Sequence, residues 1–245
     1  MYARTVKGDL VPYSQIAQEI IEQKLPPSMK RRLNALKGHV KELLTGLSPY
    51  LLFHNPDHPM EDVYPLSVVI ANGEELSAEQ MFLSTAAGML HDIGFLEEYW
   101  KNEKRGARTA GEILPKFKFT PMQIEYVQGA ILATEIQQKP KNIIEQVVGD
   151  ADLGNFGRRT YFWWEVDALW NERIMFYDQI PADQRPSPDK LTDKLAYYEG
   201  VERVVRGHDY HTKTAKKMFD ECKEENLAKL VAHIGQMRRI RGLLK

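Results

Sequence analysis

From Phe82 to Ile93 the chain is apolar at helical spacing, through Phe82, Ala86, Met89, Leu90 and Ile93. His91 and Asp92 stand at the end of that run. A helix of this pattern belongs in a core, and a carboxylate carried there costs on the order of several kcal/mol unless it finds a partner. A cation is the simplest partner. Asp150 and Asp152 pose the same question after the apolar run IIEQVV, where helix termination and capping are the alternative.

The rest of the chain also reads as helix. Segments 14–23 and 29–47 are separated by Pro26-Pro27, which ends one helix and starts the next. Ser77-Ala-Glu-Gln80 and Thr120-Pro-Met-Gln123 are capping boxes that open two more helices, the second running to about Thr134. Further helices are predicted over 106–115, 143–152, 161–177, 189–206 and 213–243. Only 66–71 (LSVVIA) has strand-like density, and it reads equally as a buried helical turn. The expected class is all-α. The proline-rich stretch 181–188 reads as a loop inside one domain spanning 1–245, because the part beyond it is short for an independent core.

Composition excludes several classes. The formal net charge of −1 provides no global basic field, so general nucleic-acid binding is not expected. The longest apolar stretch, FLSTAAGML, is too short to span a bilayer, and no leader pattern opens the chain. No membrane association and a cytoplasmic location are therefore expected. Cys222, the sole cysteine, lies in a charged run and reads as a surface or packing residue.

Three clusters carry potential chemistry: His54-Asn-Pro-Asp-His58 followed by Asp62-Val63; Leu90-His91-Asp92-Ile93-Gly94; and Gly149-Asp150-Ala-Asp152-Leu153. Imidazoles combined with carboxylates suit a first-row divalent ion or magnesium that keeps positions open for water. They do not suit a closed structural zinc site, which favours thiolates. An ion with open positions lowers the pKa of bound water and polarises a phosphoryl oxygen.

In this order, H…HD…D, the clusters resemble the signature of the HD superfamily of metal-dependent phosphohydrolases. HNPDHPMEDV resembles the family's HNxxHxxDV, AAGMLHDIGF its LLHDIGF, and GDADLGNFGR its DADLxNLGR. AILAT resembles its middle-helix pattern, and the tail GHDYHTKTA extends the likeness beyond the core at about 50–160. The resemblance implies an HD-type helical bundle with additional N- and C-terminal helices, the latter covering about 161–245. It implies one divalent metal ion (Mn, Fe, Ni, Co, Mg or Zn) held by His58, His91, Asp92 and Asp152. It further implies hydrolysis of a small phosphorylated substrate, a nucleotide or another small phosphate ester, by attack of metal-bound hydroxide. A homo-oligomer is compatible with it.

The chain departs from the family pattern in places. An extra residue lies between His58 and Asp62-Val63, and Pro65 must kink or delay the helix there. Asn102 replaces a histidine that helps hold a second metal in binuclear members, which argues for one metal here. Phe95 occupies the position of a catalytic glutamate found in some members, with Glu97 and Glu98 nearby.

Roles beyond the ligands follow from the resemblance and from local chemistry. His54 can serve as general acid, as the first histidine of a similar motif does in cyclic-nucleotide phosphodiesterases; its alternative is a loop histidine capping a turn. Asp62, four residues from His58, is placed to orient that imidazole. Lys104 and Arg108, with Arg105 between them, are candidate phosphate contacts or a solvated face; Arg158 and Arg159 are a second such pair. Trp163 and Trp164 read as core residues rather than stacking platforms. His208 and His211 read as residues that dock the last helices. Other readings of the chain are a nucleotide- or phosphate-sensing metal module with little turnover, a helical interaction protein, and a di-iron oxidase, which Asn102 disfavours.

Overall fold

A computed structural model of the chain describes residues 2–4, 10–158 and 162–243. Among the described residues it is an all-α protein. The helices are α1 (Tyr13–Lys24), α2 (Pro27–Leu44), α3 (Tyr64–Gly73), α4 (Ala78–Leu90), α5 (Asn102–Ile113), α6 (Pro121–Leu132), α7 (Ile143–Asp152), α8 (Phe162–Met175), α9 (Pro188–Thr192), α10 (Lys194–Gly207) and α11 (Lys213–Leu243). The exception is a small antiparallel pair, β1 (Tyr2–Arg4) and β2 (Leu10–Pro12), in the register Ala3 to Val11. The strand-like run 66–71 lies wholly inside α3, where Val68 and Ile70 are buried.

Both expected capping boxes form. Ser77 and Thr120 each accept from the backbone N–H three residues on, and Gln80 and Gln123 reach back. α5 starts four residues earlier than the sequence predicts. Lys101, in the left-handed conformation at φ 59°, closes the preceding turn and releases Asn102 into helix. The predicted helix 189–206 is interrupted at Asp193, whose carboxylate accepts from Leu195 and Ala196 N–H and caps α10.

α4 is the central helix, packed on α2, α3, α6 and α7. Residues of α1 to α7 form one hydrophobic cluster, joined by Tyr210, Ala215 and Phe219. A second cluster gathers α8, α10 and α11 around Phe162, Trp170, Tyr198, Leu230 and Ile234. α11 spans both, because Phe219 lies in the first cluster and Leu227 in the second.

Asp150 is the polar tie at that junction. It is fully buried. It accepts from His211 N at 2.8 Å, Thr212 N at 2.7 Å and Thr212 Oγ1 at 2.7 Å. Thr212 Oγ1 in turn accepts from Ala215 N, so Asp150 fixes the start of α11. Burial raises its pKa, and these hydrogen bonds oppose the rise. Asp150→Ala is therefore expected to destabilise the fold by about 3 kcal/mol, the scale of losing hydrogen bonds to a buried charge. Urea unfolding followed by circular dichroism measures it; a change under about 0.5 kcal/mol would show the tie to be dispensable.

Candidate metal centre

Three helix ends converge on one point. His58 opens a single π-helical turn, His58–Val63, that runs directly into α3. The Tyr64 N–H bond to Pro59 O, five residues back, records the wider turn. His91 and Asp92 follow the last turn of α4, and Asp152 ends α7. Gly94 lets the chain leave α4 tightly, since a Cβ there would collide with the Asn102 carbonyl at the start of α5.

His58, His91 and Asp152 offer ligand atoms that all lie within 4.8 Å of one another. His58 Nε2 is 3.3 Å from Asp152 Oδ1 and 3.7 Å from Asp92 Oδ2. His91 Nε2 is 3.2 Å from Asp92 Oδ2 and 3.5 Å from Asp152 Oδ1. The residues are all buried or nearly so. Despite these separations His91 Nε2 and Asp92 Oδ2 make no hydrogen bond. His58 Nε2 and Asp152 Oδ1 do pair, so the unsatisfied atoms of the cluster are His91 Nε2 and Asp92 Oδ2. His91 Nδ1 lies 3.0 Å from Gly88 O and donates to it, so Nε2 is the ring atom left to bind a cation once its proton is displaced. Orphaned buried donors and acceptors of this mixed nitrogen and oxygen type fit a divalent cation.

The charges are mutually supporting. Burial opposes the positive charge of His91, but Asp92 and Asp152 outweigh it and hold the imidazole well above its ordinary value. Burial likewise disfavours the two carboxylates, yet the neighbouring histidines hold both below the usual range.

The structure separates the residues that the sequence offers as candidates. Asp152 joins the cluster, whereas Asp150 faces α11. Asp62 does not orient His58. The π-turn brings residues five apart into line, so the i,i+4 partner is displaced. Asp62 Oδ2 instead accepts from Arg158 Nη1 at 3.0 Å, and His58 Nδ1 is left without a partner. Lys104 and Arg108 are exposed, on the face of α5 away from the buried Asn102, Gly106 and Ala110. Arg108 pairs with Glu112 at 3.5 Å and Arg105 with Glu97, so this segment is not drawn to the cluster. Arg159 lies outside the described residues. His208 packs its ring on Phe156 and Tyr210, and His211 N meets Asp150.

Glu172 escaped the sequence reading because it sits inside an ordinary helical pattern 118 residues from its partner. It is completely buried on α8. It accepts from Phe53 N at 2.5 Å and His54 N at 2.9 Å, and its other oxygen lies 2.7 Å from His54 Nδ1. Phe95, at the position of the expected glutamate, stacks on the His54 ring at 4.2 Å. Burial opposes charge on His54, but Glu172, with help from Asp92 and Asp152, raises its pKa. Glu103, next to Asn102, was also missed. Its pKa is raised by burial and by the nearby charges of Asp92 and Asp152.

No family model and no curated protein matches the chain. A protein of Lactobacillus plantarum, known from a structural-genomics crystal structure, is similar in fold. The two share 16% identity over 87% of this chain and 98% of that one, with a TM-score of 0.56. No helix among the described residues is long and apolar enough to cross a membrane.

A raised histidine pKa stabilises the fold fully below its unfolded value near 6.5 and loses that contribution as pH rises through the folded value. Chelator-treated protein is therefore expected to lose stability as pH rises above about 6.5. Added divalent ion should reverse the trend, because ligand deprotonation favours the bound form. Thermal melts across pH 6 to 9 (~3 units, bracketing the histidine range), with and without manganese, test both slopes. Identical slopes would mean the cluster does not bind the ion.

Proposed function

We propose that the chain is a metal-dependent phosphohydrolase of the HD type, acting on a small phosphate ester. One observation carries this reading: His58, His91 and Asp152 bring ligand atoms within 4.8 Å of one another, and Asp92 beside them leaves Oδ2, like His91 Nε2, buried and unpaired. His58, His91, Asp92 and Asp152 would hold one divalent ion per chain, and Asn102 in place of a histidine supports one rather than two. An ion held there supplies an acidified water and a polarised phosphoryl oxygen.

The remaining steps belong to the chain. Glu172 fixes His54 through Nδ1, which leaves Nε2 as the atom that can carry a proton to the departing oxygen. Phe95 stacked on the same ring limits its rotation and keeps bulk water from one face. Complete burial of Glu172 makes it the orienting partner rather than a proton carrier exposed to substrate. The burial of the ligands keeps bulk solvent away from the cluster and strengthens each electrostatic contact within it.

The test is phosphate release from a panel of nucleotides and phosphomonoesters with several divalent metals. Asp92→Ala is expected to abolish turnover and metal retention while helical circular dichroism stays near wild type. His54→Ala is expected to retain the ion, counted by elemental analysis, and to lower kcat by about a hundredfold or more. Metal retained without turnover on any ester would favour a sensing module. Turnover unaffected in Asp92→Ala would place the activity elsewhere.

A further inference from the structure

His58 lines a second feature, a cavity of about 170 Å³ walled mainly by Phe53, Asp62, Arg158, Trp164 and Glu165. Sites that take a whole small molecule are larger, roughly 300–1,000 Å³. This one suits a single ring whose remainder lies beside it.

The walls define the ring. Trp163 and Trp164 part company on α8. Trp163 packs against Tyr198 and His233 in the second cluster, whereas Trp164 stays 56% exposed at the cavity. An indole in that position presents a flat apolar face. Arg158 is over nine-tenths buried and only half used. Its Nη1 donates to Asp62 Oδ2 at 3.0 Å and Glu165 Oε1 at 2.8 Å, while Nε and Nη2 are buried without a partner. Glu165 Oε2 is also buried and unpartnered. Burial, opposed by Arg158 and assisted by Asp62, pushes Glu165 up to about 7, so near neutrality it can donate as well as accept.

A phosphate is the wrong occupant. Asp57, Asp62 and Glu165 share the wall with one guanidinium, and an added anion would meet more negative charge than positive. An uncharged ring with acceptors and donors on its edge and a flat face for stacking suits the indole face and the unused hydrogen-bonding capacity of Arg158 and Glu165.

We propose that this cavity is a base-binding subsite, in which a nucleobase stacks on Trp164 and hydrogen-bonds through its edge to Arg158 and Glu165. The placing of the same nucleotide's phosphate at the metal cluster rests on the phosphohydrolase reading; base binding itself does not. The substrate class is then a nucleotide rather than a sugar phosphate.

Isothermal titration of the full chain with the four unphosphorylated ribonucleosides, and with ribose 5-phosphate for comparison, tests this without turnover. At least one nucleoside is expected to bind, and Trp164→Ala to weaken it by about tenfold or more. That side chain is largely in water, so its variant should fold and keep wild-type metal content. Binding of ribose 5-phosphate with no nucleoside bound would overturn the subsite, as would equal nucleoside affinity in Trp164→Ala. Nucleoside binding lost in Trp164→Ala, in a protein that hydrolyses no phosphate ester, would uphold the subsite and refute the hydrolase reading alone.

Discussion

Two imidazoles and two carboxylates share a space a few ångströms wide inside an apolar bundle, and much of the fold serves to hold them there. The start of α3 and the ends of α4 and α7 must meet at one point, which requires a π-turn at His58, a glycine at position 94 and a fixed α7. Buried charges of this density are tolerated because each carboxylate has imidazole neighbours, and a cation would complete the compensation. Removing any one member leaves an uncompensated charge, which costs more than the pair contributes.

The C-terminal helices are tied into this arrangement rather than appended to it. α8 belongs to the second hydrophobic cluster, yet it sends Glu172 back to the loop that carries His54. It also carries Glu165, which meets Arg158, and Trp164, which stays in water. Docking of the second cluster therefore sets the orientation of a candidate proton carrier in the first. α11 secures the docking through Asp150 at its start and Asn226 near its middle, whose amide donates to Phe156 O and Arg158 O.

Residues of one chemical type take different roles according to what they face. Asp150 and Asp152 are two residues apart on one helix, so they point to different sides. One caps α11; the other enters the cluster. Asp62, Glu165 and Glu172 are all shielded carboxylates, but two share a guanidinium and the third holds an imidazole. Glu165 is pushed up to about 7, with burial as the main cause.

Much of the architecture could be read from the chain alone. Capping boxes at Ser77 and Thr120, prolines at first helical positions and the apolar spacing along α4 are local signals, and the all-α class follows from them. The ligand candidates were legible because histidine and aspartate at the end of an apolar helix demand a partner. Long-range partners were not legible. Glu172 meets His54 across 118 residues, and nothing in a helical pattern marks which glutamate will be buried. The choice between Asp150 and Asp152, the diversion of Asp62 to Arg158 by one π-turn, and the exposure of Trp164 beside a half-buried Trp163 were decided only by tertiary packing. Periodicity states which face of a helix is apolar; only the packed neighbours determine what each polar side chain on that helix will meet.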